Sequence, residues 1–116
     1  MYDLIRAFKA VSDETRIRIM KVLLDNECLC VCEIMQTLDI TQTRASKNLK
    51  VLKDTGFVVD RREGAWVYYS VNEGVVSKYC KDISLLLKGW LNDSATIIED
   101  KRRLSQAIKL RKAKCE

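Results

Sequence analysis

The sequence contains no histidine and no proline, and it has only 4 glycines in 116 residues. Without histidine, the chain lacks the side chain that most often serves as a general acid or base, and any metal site must be built without imidazole. Without proline, and with so little glycine, long irregular loops are not expected. No apolar run is long enough to cross a membrane. These absences exclude histidine-dependent catalysis and favour a chain made mostly of regular secondary structure.

The composition is that of one small, basic, globular domain. Hydrophobic residues make up 47% of the chain and charged residues 32%, a balance typical of a folded protein. We therefore treat residues 1–116 as a single domain, too short for a two-domain enzyme. Lys and Arg number 21 against 16 Asp and Glu, a formal net charge of +5. Such a charge suits a polyanionic partner, nucleic acid first, although ordinary solubility charge would explain the same number.

The cysteines and the opening segment bear on the compartment. The five cysteines are an odd number, and the opening MYDLIRAFKAVSDETR is charged from its third residue, unlike an apolar secretion signal. We therefore expect a cytoplasmic protein, without membrane association, whose thiols are reduced. Three of the five cysteines crowd into the segment CLCVC, at Cys28, Cys30 and Cys32.

The first half of the chain predicts four helices. Apolar residues recur there at helical spacing, with Ser12 as the expected N-cap of the second helix and Thr41 of the fourth. Gly56 is a typical stop residue for the fourth helix. The expected helices cover residues 2–11, 13–25, 31–38 and 42–55.

After Gly56 the apolar period changes from that of a helix to that of a strand. The segments FVVDRR and WVYYSV are rich in β-branched and aromatic residues and are separated by EGA, which predicts a two-stranded hairpin. Two further helices are expected, from about Val75 to Leu91 and from Ala95 to Leu110. The fold class is therefore mainly α with a β-hairpin. Two short helices joined by a tight turn and followed by a hairpin describe a winged helix-turn-helix.

The outer face of the fourth helix carries the side chains of a DNA-reading surface. Ala45, Leu49 and Leu52 are expected to face the core. The polar and basic side chains of the helix then lie on its outer face or its flanks. Short polar and basic side chains bond phosphates and read base edges in a major groove, although a solvated helix face would look similar. The candidate DNA-binding residues are Gln42, Thr43, Arg44, Ser46, Lys47, Asn48 and Lys50.

The hairpin adds Arg61 and Arg62 beside the Glu63-Gly64 turn. A basic hairpin next to a recognition helix can reach the adjacent phosphate backbone or the minor groove. The alternative is a charged hairpin that protects its own edge from pairing. The position of the hairpin in the chain favours the DNA-binding interpretation.

An apolar stripe on the fifth expected helix suggests a second copy of the chain. Tyr79, Ile83, Leu86 and Trp90 recur at helical spacing, which more often marks core than interface. A domain this small has limited core to offer, so the terminal helices, about residues 75–110, are expected to form a homodimer. A two-fold dimer places two recognition helices about 34 Å apart, one turn of DNA.

The thiols at Cys28, Cys30 and Cys32 point to a soft ion. In a helix, residues two apart point in nearly opposite directions, and in a strand the successive Cα atoms on one face lie about 6.6 Å apart. The segment must therefore curl to bring three sulfurs together, and strain there can tilt the recognition helix. Three thiolates without imidazole select thiophilic ions such as trivalent arsenic or antimony. Small apolar packing residues or a redox pair are the alternatives.

At this point the sequence resembles the ArsR/SmtB family of small metal-sensing repressors, and its arsenic-sensing branch in particular. The matching stretches are FKAVSDETRIRIMKVLL and CLCVCEIMQTLDITQTRASKNLKVLKDTGFVVDRREGAWVYYSVN, with LCVCE the specific part. The resemblance implies a homodimer that occupies operator DNA when unliganded and leaves when metalloid binds. It implies Cys30 and Cys32 as ligands, Gln42–Thr55 as recognition helix and Phe57–Val71 as wing.

The third sulfur of such a site stays open. Relatives in that branch commonly carry it three residues after the second thiol, where this chain has Met35. Cys28 is nearest in sequence, and Cys115 or Cys80 could close the site from elsewhere. The expected function is an arsenite- or antimonite-responsive repressor, As(III) or Sb(III) being the inducer. A regulator of another soft metal (Cd or Pb) or of thiol oxidation is the alternative. An enzyme is not expected, because no base or Cys-x-x-Cys pair is present.

Overall fold

The computed structural model describes residues 1–74 and 77–109, which form a mainly helical winged helix-turn-helix. The fold predicted from the sequence is confirmed. The elements are α1 (Tyr2–Val11), α2 (Glu14–Leu24), β1 (Leu29–Cys30), α3 (Val31–Leu38), α4 (Gln42–Thr55), β2 (Val58–Glu63), β3 (Trp66–Val71), α5 (Lys78–Gly89) and α6 (Ala95–Lys109).

The helix-turn-helix is delimited by local capping bonds. The Thr41 side chain accepts a hydrogen bond from the Arg44 backbone N–H (3.2 Å) at the start of α4. Gly56 ends α4 with a φ of 107°, a conformation that costs glycine little. The expectation that Ser12 caps α2 is wrong. Asp13 is the cap instead, and the Ser12 hydroxyl donates to the Lys9 carbonyl oxygen at the end of α1.

The wing has a third strand that the sequence pattern did not predict. Within the described residues the strand order is β1-β3-β2, with both pairs antiparallel. Strand β1 pairs Leu29 with Tyr69 and Cys30 with Tyr68. Two residues are too few to show the alternation that marks a strand, so only the tertiary pairing identifies β1. The thiol segment is consequently part of the wing.

The hydrophobic core takes buried residues from all six helices and from the first residues of the wing. Ile19, Met20, Leu49 and Leu52 are fully buried there, and Phe57 closes the core where α4 gives way to β2. The predicted inner face of α4 is thereby confirmed.

A buried lysine joins α2 to the end of α5. Lys21 is 2% exposed, and its Nζ donates to the carbonyl oxygens of Leu87 (2.8 Å) and Trp90 (2.6 Å). It also donates to Oδ1 of Asn92 (2.7 Å). The last carbonyls of a helix lack partners within it and carry partial negative charge, so an ammonium stabilises that end. The expected start of this helix at Val75 and Val76 lies outside the described residues.

Helix α6 packs on the helix-turn-helix of its own chain, mainly on α3. Arg18 donates to both carboxylate oxygens of the buried Asp100 at 2.8 Å, and also to the Leu38 carbonyl oxygen (3.2 Å) at the end of α3. One guanidinium therefore holds α2, α3 and α6 together. Across residues 1–74 and 77–109, we find no helix with the length and apolar character needed to span a bilayer.

Candidate nucleic-acid interface and thiol site

Helix α4 presents one polar face to solvent. Ala45, Leu49 and Leu52 are buried and turn one face of α4 toward the core. The side chains on the opposite face are therefore exposed. Lys50 bonds Asp54 one turn further on (2.9 Å), and Arg44 donates to the Thr15 hydroxyl (2.9 Å). Of the candidate DNA-binding residues on α4, the exposed ones are Gln42, Thr43, Arg44, Ser46, Lys47 and Lys50.

Asn48, expected on the flank of α4 as a DNA-binding candidate, is buried in the structure. It is 9% exposed, and its Oδ1 accepts from the Arg16 guanidinium (3.1 Å) while its Nδ2 donates to the Arg44 carbonyl oxygen (2.8 Å). With both ends of the amide occupied inside the protein, Asn48 supports the packing of α4 on α2. The structure therefore gives no support to a base contact by Asn48.

The wing carries its arginines on an exposed strand. Arg61 and Arg62 are exposed on β2, next to a turn in which Gly64 has a φ of 59°. The Arg61 guanidinium is 3.2 Å from the Glu63 carboxylate and stacks 5.9 Å from the ring centroid of Tyr68. A salt bridge between Lys53 of α4 and Asp60 of β2 (2.9 Å) ties the wing to the recognition helix. Contact of these arginines with DNA stays a prediction.

The cysteines of the CLCVC segment lie at the junction between β1 and α3. Cys30 is buried, whereas Cys32 is exposed on the first turn of α3. Both are free thiols, as is the buried Cys80. Cys28 is buried and disulfide-bonded, so the expectation of reduced thiols is wrong at this position.

Cys30 is also the N-cap residue of α3. It forms a capping box with Glu33, in which the Glu33 carboxylate accepts from the Cys30 backbone N–H (2.9 Å) and the Glu33 backbone N–H faces the Cys30 sulfur. Burial raises the pKa of the Cys30 thiol, and the Glu33 backbone N–H opposes that rise by stabilising the thiolate. Sequence reasoning missed Glu33, although an acidic residue three positions after a cap is a recognisable signal.

The described residues do not bring three metal-ligating groups together. The expected convergence of Cys28, Cys30 and Cys32 is thus not present, because the segment is a strand followed by a helix rather than a curl. Cys80 belongs to the main core, where its thiol donates to the Thr55 carbonyl oxygen (3.5 Å) and burial raises its pKa. Cys115 lies outside the described residues.

The donor set nevertheless fits a thiophilic ion. Cys30 and Cys32 supply two free sulfurs two residues apart in the sequence, and sulfur donors select soft ions over the hard cations that prefer oxygen. The capping box must open before the Cys30 sulfur can turn toward Cys32.

Comparisons with known proteins agree with this architecture. The profile described as "Bacterial regulatory protein, arsR family" matches residues 13–59, which contain the helix-turn-helix. The chain is 38% identical over 91 residues to the arsenic resistance transcriptional regulator ArsR2 of Pseudomonas putida, covering 76% of this chain and 79% of the relative. It is 39% identical over 71 residues to a cadmium resistance regulatory protein CadC homolog of Staphylococcus aureus, covering 61% and 59%.

Solved structures resemble the chain over a similar extent. Reduced HlyU from Vibrio cholerae aligns with a TM-score of 0.64 at 31% identity, covering 74% of this chain and 85% of that one. The homodimeric winged helix-turn-helix domain Mb0332 from Mycobacterium bovis aligns with a TM-score of 0.63 at 27% identity, covering 80% and 82%. This chain therefore belongs to the arsR family of bacterial regulatory proteins, and it is a DNA-binding transcription regulator rather than an enzyme.

Proposed function

We propose that the protein is a cytoplasmic repressor that binds operator DNA as a homodimer and is released when arsenite or antimonite binds its thiols. Cys30 and Cys32 are the first two ligands in this proposal. The named relatives include regulators of arsenic resistance and of cadmium resistance, which supports a soft ion as the inducer.

The observation that carries the proposal is the double role of Cys30. Its sulfur caps α3, the first helix of the helix-turn-helix, and α3 packs against the recognition helix α4. A sulfur bound to an ion no longer faces the Glu33 backbone N–H, so the start of α3 loses that contact. The Cys30 sulfur can therefore either face the Glu33 backbone N–H at the start of α3 or bind an ion. Because α3 packs on α4, this choice affects the orientation of α4.

Trivalent arsenic or antimony is proposed because it is satisfied by three sulfurs and needs no imidazole, of which the chain has none. The third sulfur is proposed to be Cys28, with Cys115 and Cys80 as alternatives. Since Cys28 is disulfide-bonded in the structure, its thiolate becomes available only after reduction. Uptake is therefore measured on reduced protein.

The homodimer is proposed to form through α1 and α5, which pack beside each other. Tyr79 and Leu86 of α5 fall within about 20° of one another around the helix axis, Trp90 follows the last residue of the helix, and all three are exposed. Phe8 and Ile5 of α1 add further exposed apolar surface. A contiguous apolar surface of this kind marks an interface. The apolar side of α6 is instead covered by its own chain, so we place α6 outside the centre of the interface.

The test is operator binding by the reduced protein with and without arsenite. We expect affinity to fall steeply with salt, because lysine and arginine release counterions from the phosphates. We expect arsenite to weaken binding by about 100-fold, within the usual range of coupling between two ligands.

The variants C30S and C32S give the decisive comparison. Serine is itself a favoured N-cap, so C30S keeps the start of α3 while removing the thiolate, and we expect unchanged DNA binding without any response to arsenite. C28S, C80S and C115S, each examined by arsenite stoichiometry and X-ray absorption, identify the third sulfur. Full release of DNA by arsenite in C30S or C32S contradicts the proposed site.

Another soft metal or thiol oxidation is the second candidate. The thiols of Cys30 and Cys32 are free, and one relative is named as a cadmium resistance regulatory protein homolog. Titrations with cadmium, lead and hydrogen peroxide beside arsenite separate the possibilities. Release by peroxide alone, without any metal, favours an oxidation sensor.

A further inference from the structure

The three-stranded wing places the thiol segment directly in line with an arginine of the proposed DNA surface. Cys30 of β1 lies opposite Tyr68 of β3, and Tyr68 lies opposite Arg61 of β2. Residues directly opposite on neighbouring strands project to the same face of a sheet. Cys30, Tyr68 and Arg61 therefore form one row across the sheet, which we call the cross-strand row.

The cross-strand row runs from the protein interior to solvent. Cys30 is 7% exposed and Tyr68 is 4% exposed, and they pack together in a small buried cluster that is separate from the main core. At the outer end, the Arg61 side chain is 52% exposed and its guanidinium lies 5.9 Å from the Tyr68 ring centroid. The Tyr68 ring thus lies in one buried cluster with Cys28 and Cys30 and has the Arg61 guanidinium over it.

We propose that Tyr68 is a positioning residue that couples ion binding at Cys30 to Arg61, so that a loaded thiol site draws Arg61 away from the DNA. This inference rests on the proposed function. Side chains packed at interior density cannot accept an additional atom without moving. An ion on the Cys30 sulfur displaces the Tyr68 ring, and the Arg61 guanidinium then loses its cation–π contact with that ring.

This route differs from the loss of the α3 cap, because it passes through the sheet rather than through the helix-turn-helix. The other face of the sheet holds a second row, in which Leu29 and Asp60 flank Tyr69 and Asp60 bonds Lys53 of α4. That row keeps the wing attached to α4 while the cross-strand row shifts. Operator release then has two parts, a tilt of α4 and a withdrawal of Arg61.

The experiment compares the arsenite-induced loss of operator affinity in the reduced wild type, Y68L and Y68F. Leucine fills much of the buried space but offers no ring for the guanidinium, whereas phenylalanine keeps the ring. We expect the loss to fall from about 100-fold in the wild type to about tenfold or less in Y68L, and to stay near 100-fold in Y68F. The control W66L removes another aromatic side chain of β3, one that does not lie opposite β1, and should keep the full response.

A spectroscopic readout separates coupling from simple destabilisation. The Nε–Hε NMR resonance of Arg61 should shift on addition of arsenite in the wild type and in Y68F, and stay in place in Y68L, which must still take up arsenite. If Y68L fails to fold, R61K replaces it. Lysine keeps the charge but not the planar stacking, so R61K should bind DNA more weakly than the wild type and lose less of that binding when arsenite is added.

The outcomes distinguish this inference from the function on which it rests. A wild type that ignores arsenite overturns both. A wild type that responds, together with a Y68L or R61K variant that responds by the same factor, overturns the positioning role alone and leaves the cap of α3 as the route to the recognition helix.

Discussion

At the scale of single residues, burial separates cysteines that look equivalent in the sequence. Cys30 and Cys32 are two residues apart, yet the first is buried under Tyr68 and the second faces solvent. The same separation applies on α4, where Lys47 is exposed and the next residue, Asn48, is buried between two arginines. Residues that are neighbours in the sequence therefore differ in exposure and in the contacts they make.

Thiol alkylation checks the burial of the cysteines. We expect Cys32 to react with iodoacetamide at least about tenfold faster than Cys30 and Cys80, because burial shields both of these sulfurs and raises the pKa of both thiols. Peptide mapping by mass spectrometry after short exposures measures the three rates. Equal rates for Cys30 and Cys32 would mean that the capping box is open in solution.

Substitution of Asn48 distinguishes a structural role from a DNA contact. N48A removes one hydrogen bond from the Arg16 guanidinium and one from the Arg44 carbonyl oxygen, so we expect the free energy of unfolding to fall by about 1–3 kcal/mol. K47A should leave stability unchanged, weaken operator binding and lower the salt slope by about 1. Urea denaturation and binding titrations on the two variants provide the measurements. An N48A protein of normal stability that fails to bind DNA contradicts this assignment.

At the scale of secondary-structure elements, α6 supports the helix-turn-helix of its own chain. Arg18 of α2 is the link, since it bonds both the Asp100 carboxylate of α6 and the Leu38 carbonyl oxygen at the end of α3. Lys21, one turn further along α2, similarly holds the end of α5. Helix α2 thus fixes the two C-terminal helices through two cations rather than through apolar contact alone.

Removal of the Asp100 carboxylate tests this role of α6. D100A leaves the largely buried Arg18 cation without its counter-charge, and we expect a loss of about 3 kcal/mol in the free energy of unfolding. The matched control is E99A on the same helix, whose ion pair with Arg102 is exposed and should contribute little. Equal stability of D100A and E99A would contradict the role given to the Arg18–Asp100 pair.

At the scale of the whole molecule, α1 and α5 expose apolar side chains that the proposed homodimer would cover. Phe8 is 56% exposed and Leu86 is 49% exposed. Large apolar side chains exposed together on adjacent helices are typical of an interaction surface. A two-fold partner would cover them and set the spacing between the two recognition helices.

The dimer surface is tested with charged substitutions. The double variant F8E/L86E should be a monomer by size-exclusion chromatography with light scattering, because burying carboxylates without partners is costly. It should also lose most of its operator affinity. I98E, which places the same charge on an exposed apolar position of α6, should remain dimeric. A monomeric I98E beside a dimeric F8E/L86E would move the interface to α6.

Local patterns in the chain were enough to predict the helices, the hairpin and the winged helix-turn-helix order, because hydrophobic period and capping residues act over a few neighbouring positions. Thr41 and Gly56 delimit α4 where local rules predict. Local rules also put the basic face of α4 opposite Leu49 and Leu52.

Which of these side chains are exposed, and which residues they contact, depends instead on the three-dimensional packing of the chain. That packing paired Cys30 with Tyr68, turned Asn48 inward, and buried Ile97 and Leu104 of α6 while leaving Ile5 and Phe8 of α1 exposed. The physical reason is that strand pairing and burial depend on residues far apart in the chain, such as Arg18 and Asp100. No pattern within a short window records which distant surface a side chain will meet.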